Sequence, residues 1–117
     1  MTMQEVPGEI PTFTYSLEEA HVTAIGSSSY AVRQPLGPIK GYADLDLLGG
    51  PLAPVGANSR AFASIAEVPP NGGPKFLGAA KISILNIAPR QNSVLMRIFI
   101  DWPAELPTSV DILVIND

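Results

Sequence analysis

His21 is the only histidine in the chain, and three consecutive serines, Ser27, Ser28 and Ser29, follow it closely. A serine nucleophile needs a base within hydrogen-bond reach and a sharp turn that exposes its hydroxyl. The serines stand in the stretch GSSSY, which is not the GxSxG elbow of serine hydrolases. With one histidine and no cysteine, the usual zinc ligand sets are also missing. We therefore expect no catalytic residue, no metal site and no cofactor.

A second candidate for chemistry is the stretch DLD, in which Asp44 and Asp46 flank Leu45. Residues two apart share one face of a strand, so both carboxylates are expected beside Tyr42. Two such oxygen ligands suit Ca²⁺ or Mg²⁺. A strand face that is simply solvated explains the same pattern without a ligand, and we prefer that interpretation. The three residues remain candidate contacts for a ligand or a cation.

The aromatic residues offer a stacking platform for a sugar ring, because an aromatic face combined with a few acidic partners is what carbohydrate binding requires. Trp102, at the end of an apolar run, is the principal residue of that platform, with Asp101 before it and Asp111 nine residues later. A tryptophan in such a place is more often part of a core or an interface. The tyrosines considered with Trp102 are Tyr15, Tyr30 and Tyr42.

Composition limits the classes of partner. Hydrophobic residues make up 46% of the 117 residues, enough for one domain with a core. The seven Lys and Arg residues form no cluster and the net charge is −4, which argues against nucleic acid and anionic membranes as partners. Only 15% of the residues are charged, and a surface so poor in charge is either poorly soluble or covered by other subunits.

The elements that must position these residues are predicted to be strands. Twelve prolines and ten glycines divide the chain into short segments, which favours an all-β antiparallel sandwich of about eight strands. A jelly roll is one topology that fits. Residues 1–11 are predicted to be an extended arm and residues 12–117 a single β-sandwich domain. Short helical turns are predicted only near 16–21 or 59–67. The predicted strands are 12–17, 21–26, 29–34, 39–48, 78–87, 93–102 and 109–116, and an eighth segment, 60–68, suits either a strand or a short helix.

The last two predicted strands carry apolar residues on both faces. We predict that they form a hairpin in which Trp102 pairs with Val110, so that Asp101 lies opposite Asp111. In that hairpin Phe99 meets Leu113, and Arg97 meets Ile115. An apolar patch on one strand face is expected to be covered by another subunit or by residues 47–59. The patch consists of Leu95, Phe99, Leu113 and Ile115.

These features favour a non-enzymatic structural subunit that forms a homo-oligomer or docks on a larger assembly, for example as a virion decoration or tail component. The alternative is a lectin-like carbohydrate-binding module, which requires Trp102 and the tyrosines to be exposed together. A small β-barrel enzyme or ligand binder is a third hypothesis. Neither a signal peptide nor a transmembrane segment is recognisable, so synthesis in the cytoplasm is expected, with incorporation into a particle as one outcome.

Overall fold

A computed structural model describes residues 9–116, which form two packed four-stranded sheets. Sheet A has the order β1-β4-β7-β6 and sheet B the order β2-β3-β8-β5. The strands are β1 (Thr12–Ser16), β2 (His21–Ala24), β3 (Ser29–Ile39), β4 (Gly41–Leu48), β5 (Arg60–Glu67), β6 (Lys81–Arg90), β7 (Ser93–Asp101) and β8 (Leu106–Ile115). The all-β sandwich prediction is confirmed, whereas this strand order does not confirm a jelly roll. The predicted arm falls largely on residues 1–8, outside the described residues.

One short 3₁₀ helix, Leu17–Glu19, joins β1 to β2, and the described residues contain no α-helix. The turn lies where the sequence predicts one, although Ser16 makes no side-chain capping hydrogen bond. Leu17 enters the core. No helix long and apolar enough to cross a membrane occurs between residues 9 and 116.

Each sheet is built from both halves of the chain. Strands β1 to β4, the N-terminal half, supply two neighbouring strands of each sheet, and strands β5 to β8, the C-terminal half, supply the other two. The halves meet at two antiparallel central ladders, β4–β7 and β3–β8. One pairing departs from the predicted antiparallel pattern, because β1 runs parallel to β4.

The core lies between the sheets and follows the period-2 pattern of the strands. In β4, Ala43, Leu45 and Leu47 are buried, and their neighbours face outward. The inward residues of β7 and β8 meet them across the sandwich, and the loop after β4 adds two more buried side chains. The core residues of these segments are Val94, Met96, Ile98, Ile100, Val110, Ile112, Val114, Ala53 and Val55.

Strand β3 is longer than predicted because it continues through two prolines. Strand β2 pairs with it only as far as Arg33, so Pro35 and Pro38 lie where β3 has a single neighbour, β8. A proline lacks the backbone N–H and is tolerated where no second strand needs that donor. The register also shifts between Pro35 and Gly37, and Gly37 has φ +77°.

Candidate functional site

The outer face of sheet A carries the two aspartates of the DLD stretch and the neighbouring Tyr42. Tyr42, Asp44 and Asp46 project from β4, because the residues between them are buried. In the β4–β7 register, Tyr42 pairs with Phe99 and Asp44 pairs with Arg97. The predicted side-by-side arrangement of the three β4 residues is therefore present, and β7 gives them partners that the sequence did not indicate.

Arg97 neutralises Asp44. Its Nε lies 2.7 Å from Asp44 Oδ1, and one terminal nitrogen lies 2.9 Å from Asp44 Oδ2. These hydrogen bonds hold the pKa of Asp44 below its usual value, although partial burial acts in the opposite direction. A carboxylate with both oxygens engaged by a guanidinium is a poor ligand for a cation. Among residues 9–116, no group of three or more His, Asp or Glu side chains is placed to hold a metal ion.

A groove of about 370 Å³ runs beside this ion pair, between β1, β4, β7 and β6. One carboxylate oxygen of Asp46, Oδ1, is enclosed and accepts no hydrogen bond. The groove is lined by the Asp46 carboxylate, by the Arg97 guanidinium that also binds Asp44, and by apolar side chains. Such a mixed lining suits a small polar molecule. The lining residues are Thr12, Asp44, Leu45, Asp46, Asn86, Ala88, Leu95, Met96 and Arg97.

The predicted aromatic platform is not assembled, because the tyrosines separate. Tyr30 is buried, its hydroxyl donates to the Pro54 carbonyl at 3.0 Å, and burial raises the pKa of Tyr30 to about 12. Tyr15 donates to the Leu36 carbonyl at 2.6 Å. Tyr42 remains on the outer face with its ring centroid 4.5 Å from that of Phe99.

Trp102 stands apart from this pair, just beyond the end of β7, and is 39% exposed. Its backbone N–H donates to the Ile100 carbonyl at 3.1 Å. The preceding residue, Asp101, is opposite Lys81 of β6. Asp101 and Trp102 therefore lie at one end of sheet A, beyond the rows that carry Asp44 and Asp46.

Asp111 lies on the other sheet, so the predicted hairpin of the last two strands is wrong. Strand β7 belongs to sheet A and β8 to sheet B, and Asp111 is paired with Arg33 and Ser64 instead of Asp101. Arg33 Nε lies 2.8 Å from Asp111 Oδ1, and Lys75 Nζ lies 2.9 Å from Asp111 Oδ2. The hydrogen bond from Arg33 is the main cause of a lowered pKa at Asp111.

The four residues predicted to form one interface patch are divided between opposite surfaces. Leu95 and Phe99 lie on the outer face of sheet A, and Leu113 and Ile115 on the outer face of sheet B. A single patch of these four is therefore excluded by the arrangement of the sheets. The alternative prediction, that residues 47–59 of the same chain cover the patch, also differs from the structure. Ala53 and Val55 of this segment are buried in the core between the sheets.

The outer face of sheet B has an apolar row, not predicted from the sequence, which we call the Phe62 row. It runs across the sheet through Ala31, Leu113 and Phe62, which are cross-strand neighbours, with Ile115 beside it. Phe62 is 56% exposed at the sheet edge. Arg60 and Ser64 share the strand face of Phe62 and are polar, which is the signal that indicates an outward Phe62, but that segment was also compatible with a helix.

His21 lies on the outer face of sheet B, exposed and opposite Arg33. Ser29 precedes Arg33 by four residues on β3, which corresponds to about 13 Å at 3.3 Å per residue. The Ser29 hydroxyl donates instead to the Ile25 carbonyl. The structure does not bring this hydroxyl to the imidazole. The absence of catalysis stays a prediction.

Comparison of the chain with protein-family models, curated proteins and solved structures found no match.

Proposed function

We propose that this protein is a non-catalytic assembly subunit that associates with further copies of itself. The observation that carries the proposal is the exposure of the Phe62 ring beside Leu113 on the outer face of sheet B. Burying a large apolar side chain contributes about 1.5–3 kcal/mol, so covering this row favours association. The low charged fraction of the chain, 15%, supports the same function.

The charges near the Phe62 row support an interface as well. Arg33 and Lys75 both contact Asp111, so the carboxylate is neutralised within the subunit and one positive charge is left over. A second subunit that covers the row does not have to bury an isolated carboxylate. An apolar centre bordered by paired polar groups is the usual anatomy of a protein interface.

Light scattering over a range of protein concentrations tests the proposal. We expect the wild-type mass to exceed that of the 12.4 kDa monomer and Phe62→Ser to lower it towards the monomer value while the chain stays folded. Leu52→Ser is the matched control, because Leu52 is 73% exposed in the loop between β4 and β5, whereas the row lies on β3, β8 and β5. A wild type that stays monomeric at all concentrations contradicts the proposal.

A finer form of the proposal is docking on a larger particle, as a virion decoration or tail component. Its support is the architectural analogy with small β-sandwich subunits of such particles, and architecture alone does not imply function. Co-sedimentation of the protein with candidate particles tests this form, with Phe62→Ser as the variant expected to stay in the supernatant.

A second candidate function, binding of a carbohydrate or a similar polyhydroxyl molecule, lacks the aromatic platform that a lectin-like module requires and has its support in the groove on sheet A. Asp46 and Asn86 offer hydrogen-bonding groups there, and Leu95 offers an apolar surface. Titration with a panel of monosaccharides, followed by amide NMR shifts of β4 and β7, tests this function. Asp46→Asn is expected to weaken binding, and Asp101→Asn, outside the groove, is the control. Unchanged spectra at millimolar sugar contradict it.

A further inference from the structure

The two sheets have four edge strands, and they differ in how well they are protected against pairing with another strand. Edges are commonly blunted by shortness, proline or a bulge. Strands β1 and β2 are only five and four residues long. Strand β6 contains Pro89 and a register shift between Ile84 and Asn86. Each of these three edges therefore carries a feature that discourages pairing.

Strand β5 has none of these features. It is eight residues long, contains no proline, and pairs with β8 without any register shift. Its charged residues, Arg60 and Glu67, are confined to its two ends. Within residues 9–116, the one backbone pairing of β5 on the side away from β8 is an isolated bridge between Glu67, at its C-terminal end, and Phe76, so the edge from Arg60 to Ala66 is open. This edge is therefore the least protected of the four.

The hydrogen bonds at the end of β5 establish which backbone groups face the open side. Val68 N–H donates to the Pro107 carbonyl of β8 at 3.0 Å. The Glu67 carbonyl accepts from Phe76 N–H at 3.1 Å and so points away from β8. Backbone groups alternate in direction along an antiparallel strand. The open edge therefore receives the N–H and C=O groups of the residues that lie two, four and six positions before Glu67, namely Ile65, Ala63 and Ala61.

We infer that a second copy of this chain pairs with that edge, β5 against β5 and antiparallel, around a two-fold axis at Ala63. The inference rests on the proposed self-association and specifies its geometry. With this axis, Ala61 of one subunit is opposite Ile65 of the partner subunit, and Ala63 is opposite Ala63 of the partner subunit. All three residues with open backbone groups then gain partners. The two copies of sheet B become one continuous sheet.

The same register accounts for the exposed Phe62 ring, which favours a second copy over an unrelated strand. Phe62 of one subunit is then opposite Ser64 of the partner subunit, and the two Phe62 side chains are diagonal neighbours across the axis. Diagonal positions are about 7–8 Å apart, within reach of aromatic rings. Strand pairing therefore covers the part of the Phe62 row that lies at the sheet edge.

Single cysteines test the register, since the chain has no cysteine of its own. Residues opposite each other in a hydrogen-bonded pair have Cα atoms about 5.5 Å apart, which suits a disulfide. We expect Ala63→Cys to form a covalent dimer rapidly on mild oxidation, Phe62→Cys at least ten-fold more slowly, and Thr14→Cys on β1 not at all. Preferential cross-linking of Phe62→Cys or Thr14→Cys overturns the inference.

Proline substitutions supply a second test in solution. Ala63→Pro removes an N–H that faces the open edge, so the subunit is expected to stay folded and its mass to fall to the monomer value. Ser64→Pro removes an N–H that faces β8 and is expected to lower the melting temperature instead. An oligomer that survives Ala63→Pro, with no cross-link at Ala63→Cys, overturns the β5 pairing but leaves self-association standing. A monomeric wild type overturns both.

Discussion

Lys75 Nζ lies 2.9 Å from Asp111 Oδ2, so a residue of the segment between β5 and β6 is tied to a central strand of sheet B. The same ammonium group lies 3.3 Å from the Ser64 carbonyl oxygen. Only 19% of the Lys75 side chain is exposed, in contrast to the many solvated lysines on protein surfaces. Lys75 therefore fastens residues 68–80, a segment rich in proline and glycine, onto the sheet.

Lys75→Met is expected to release this segment without unfolding the sandwich. An ion pair of this kind contributes about 0.5–1 kcal/mol, which corresponds to a roughly 2–5-fold larger population of the open segment. Limited proteolysis should cut within residues 68–80 faster by that factor. Lys40→Met, in the exposed link between β3 and β4, is the control. Equal cleavage rates for the wild type and Lys75→Met would show that other contacts hold the segment.

Acid is expected to weaken the fold through Asp44 and Asp111, whose pKa values are both lowered by hydrogen bonds from arginine. A carboxylate with a lowered folded-state pKa stabilises the protein above its unfolded pKa of about 3.9, and that contribution is lost as the pH falls through the folded value. Urea unfolding at a series of pH values between 7 and 2 measures the effect. Asp44→Asn should reduce the fall in the free energy of unfolding between pH 7 and pH 2. Glu105→Gln, at an exposed residue, should leave that fall unchanged.

Thr108→Val is expected to leave stability unchanged or raise it by up to about 1 kcal/mol. Thr108 is 1% exposed, and its hydroxyl makes no hydrogen bond. Replacing a buried unpaired hydroxyl by a methyl group of similar shape removes a desolvation cost. Ser109→Ala is the matched control and should destabilise, since the Ser109 hydroxyl donates to the Gln34 carbonyl at 3.3 Å. A lower urea midpoint for Thr108→Val than for the wild type contradicts this account.

Gly41→Ala is expected to destabilise by about 1–2 kcal/mol for a conformational reason alone. Gly41 begins β4 just after the chain crosses from sheet B to sheet A, and its φ is +70°. A Cβ at this position meets no atom within 4 Å, so only the left-handed backbone opposes a side chain. Gly56→Ala, where an added Cβ makes ordinary contacts, should have a smaller effect in the same thermal unfolding experiment.

The strands were predictable from the sequence because alternation is a local property. Each of the eight predicted segments overlaps one of the observed strands, although β3, β6 and β8 extend beyond the predicted bounds. The pairing of β7 with β8 was wrong for a physical reason. Two strands can be neighbours in one sheet or can face each other across the core from opposite sheets. Val94 and Val110 face the core in both cases, so the alternation of apolar and polar residues is the same. Local periodicity does not distinguish these cases.

The candidate site was predictable only in part. The shared face of Asp44 and Asp46 follows from spacing within one strand, and the structure has it. Their partners depend on register between distant strands, so the Arg97 contact with Asp44 was not foreseen, and neither was the contact of Lys75 with Asp111. Phe62 was missed because RAFASIAEV suits a helix by composition, and only the pairing with β8 settles it as a strand.

The contribution of both chain halves to each sheet has a consequence for how the polypeptide is assembled. Neither half can complete a sheet alone, because each lacks its partner at the β4–β7 and β3–β8 ladders. Residues 49–59, between β4 and β5, are the only covalent link between the halves. Two fragments produced by cleavage there carry complementary open edges, and mixing them should restore the sandwich. The same interlocking permits two chains to exchange halves, each completing the sheets of the other.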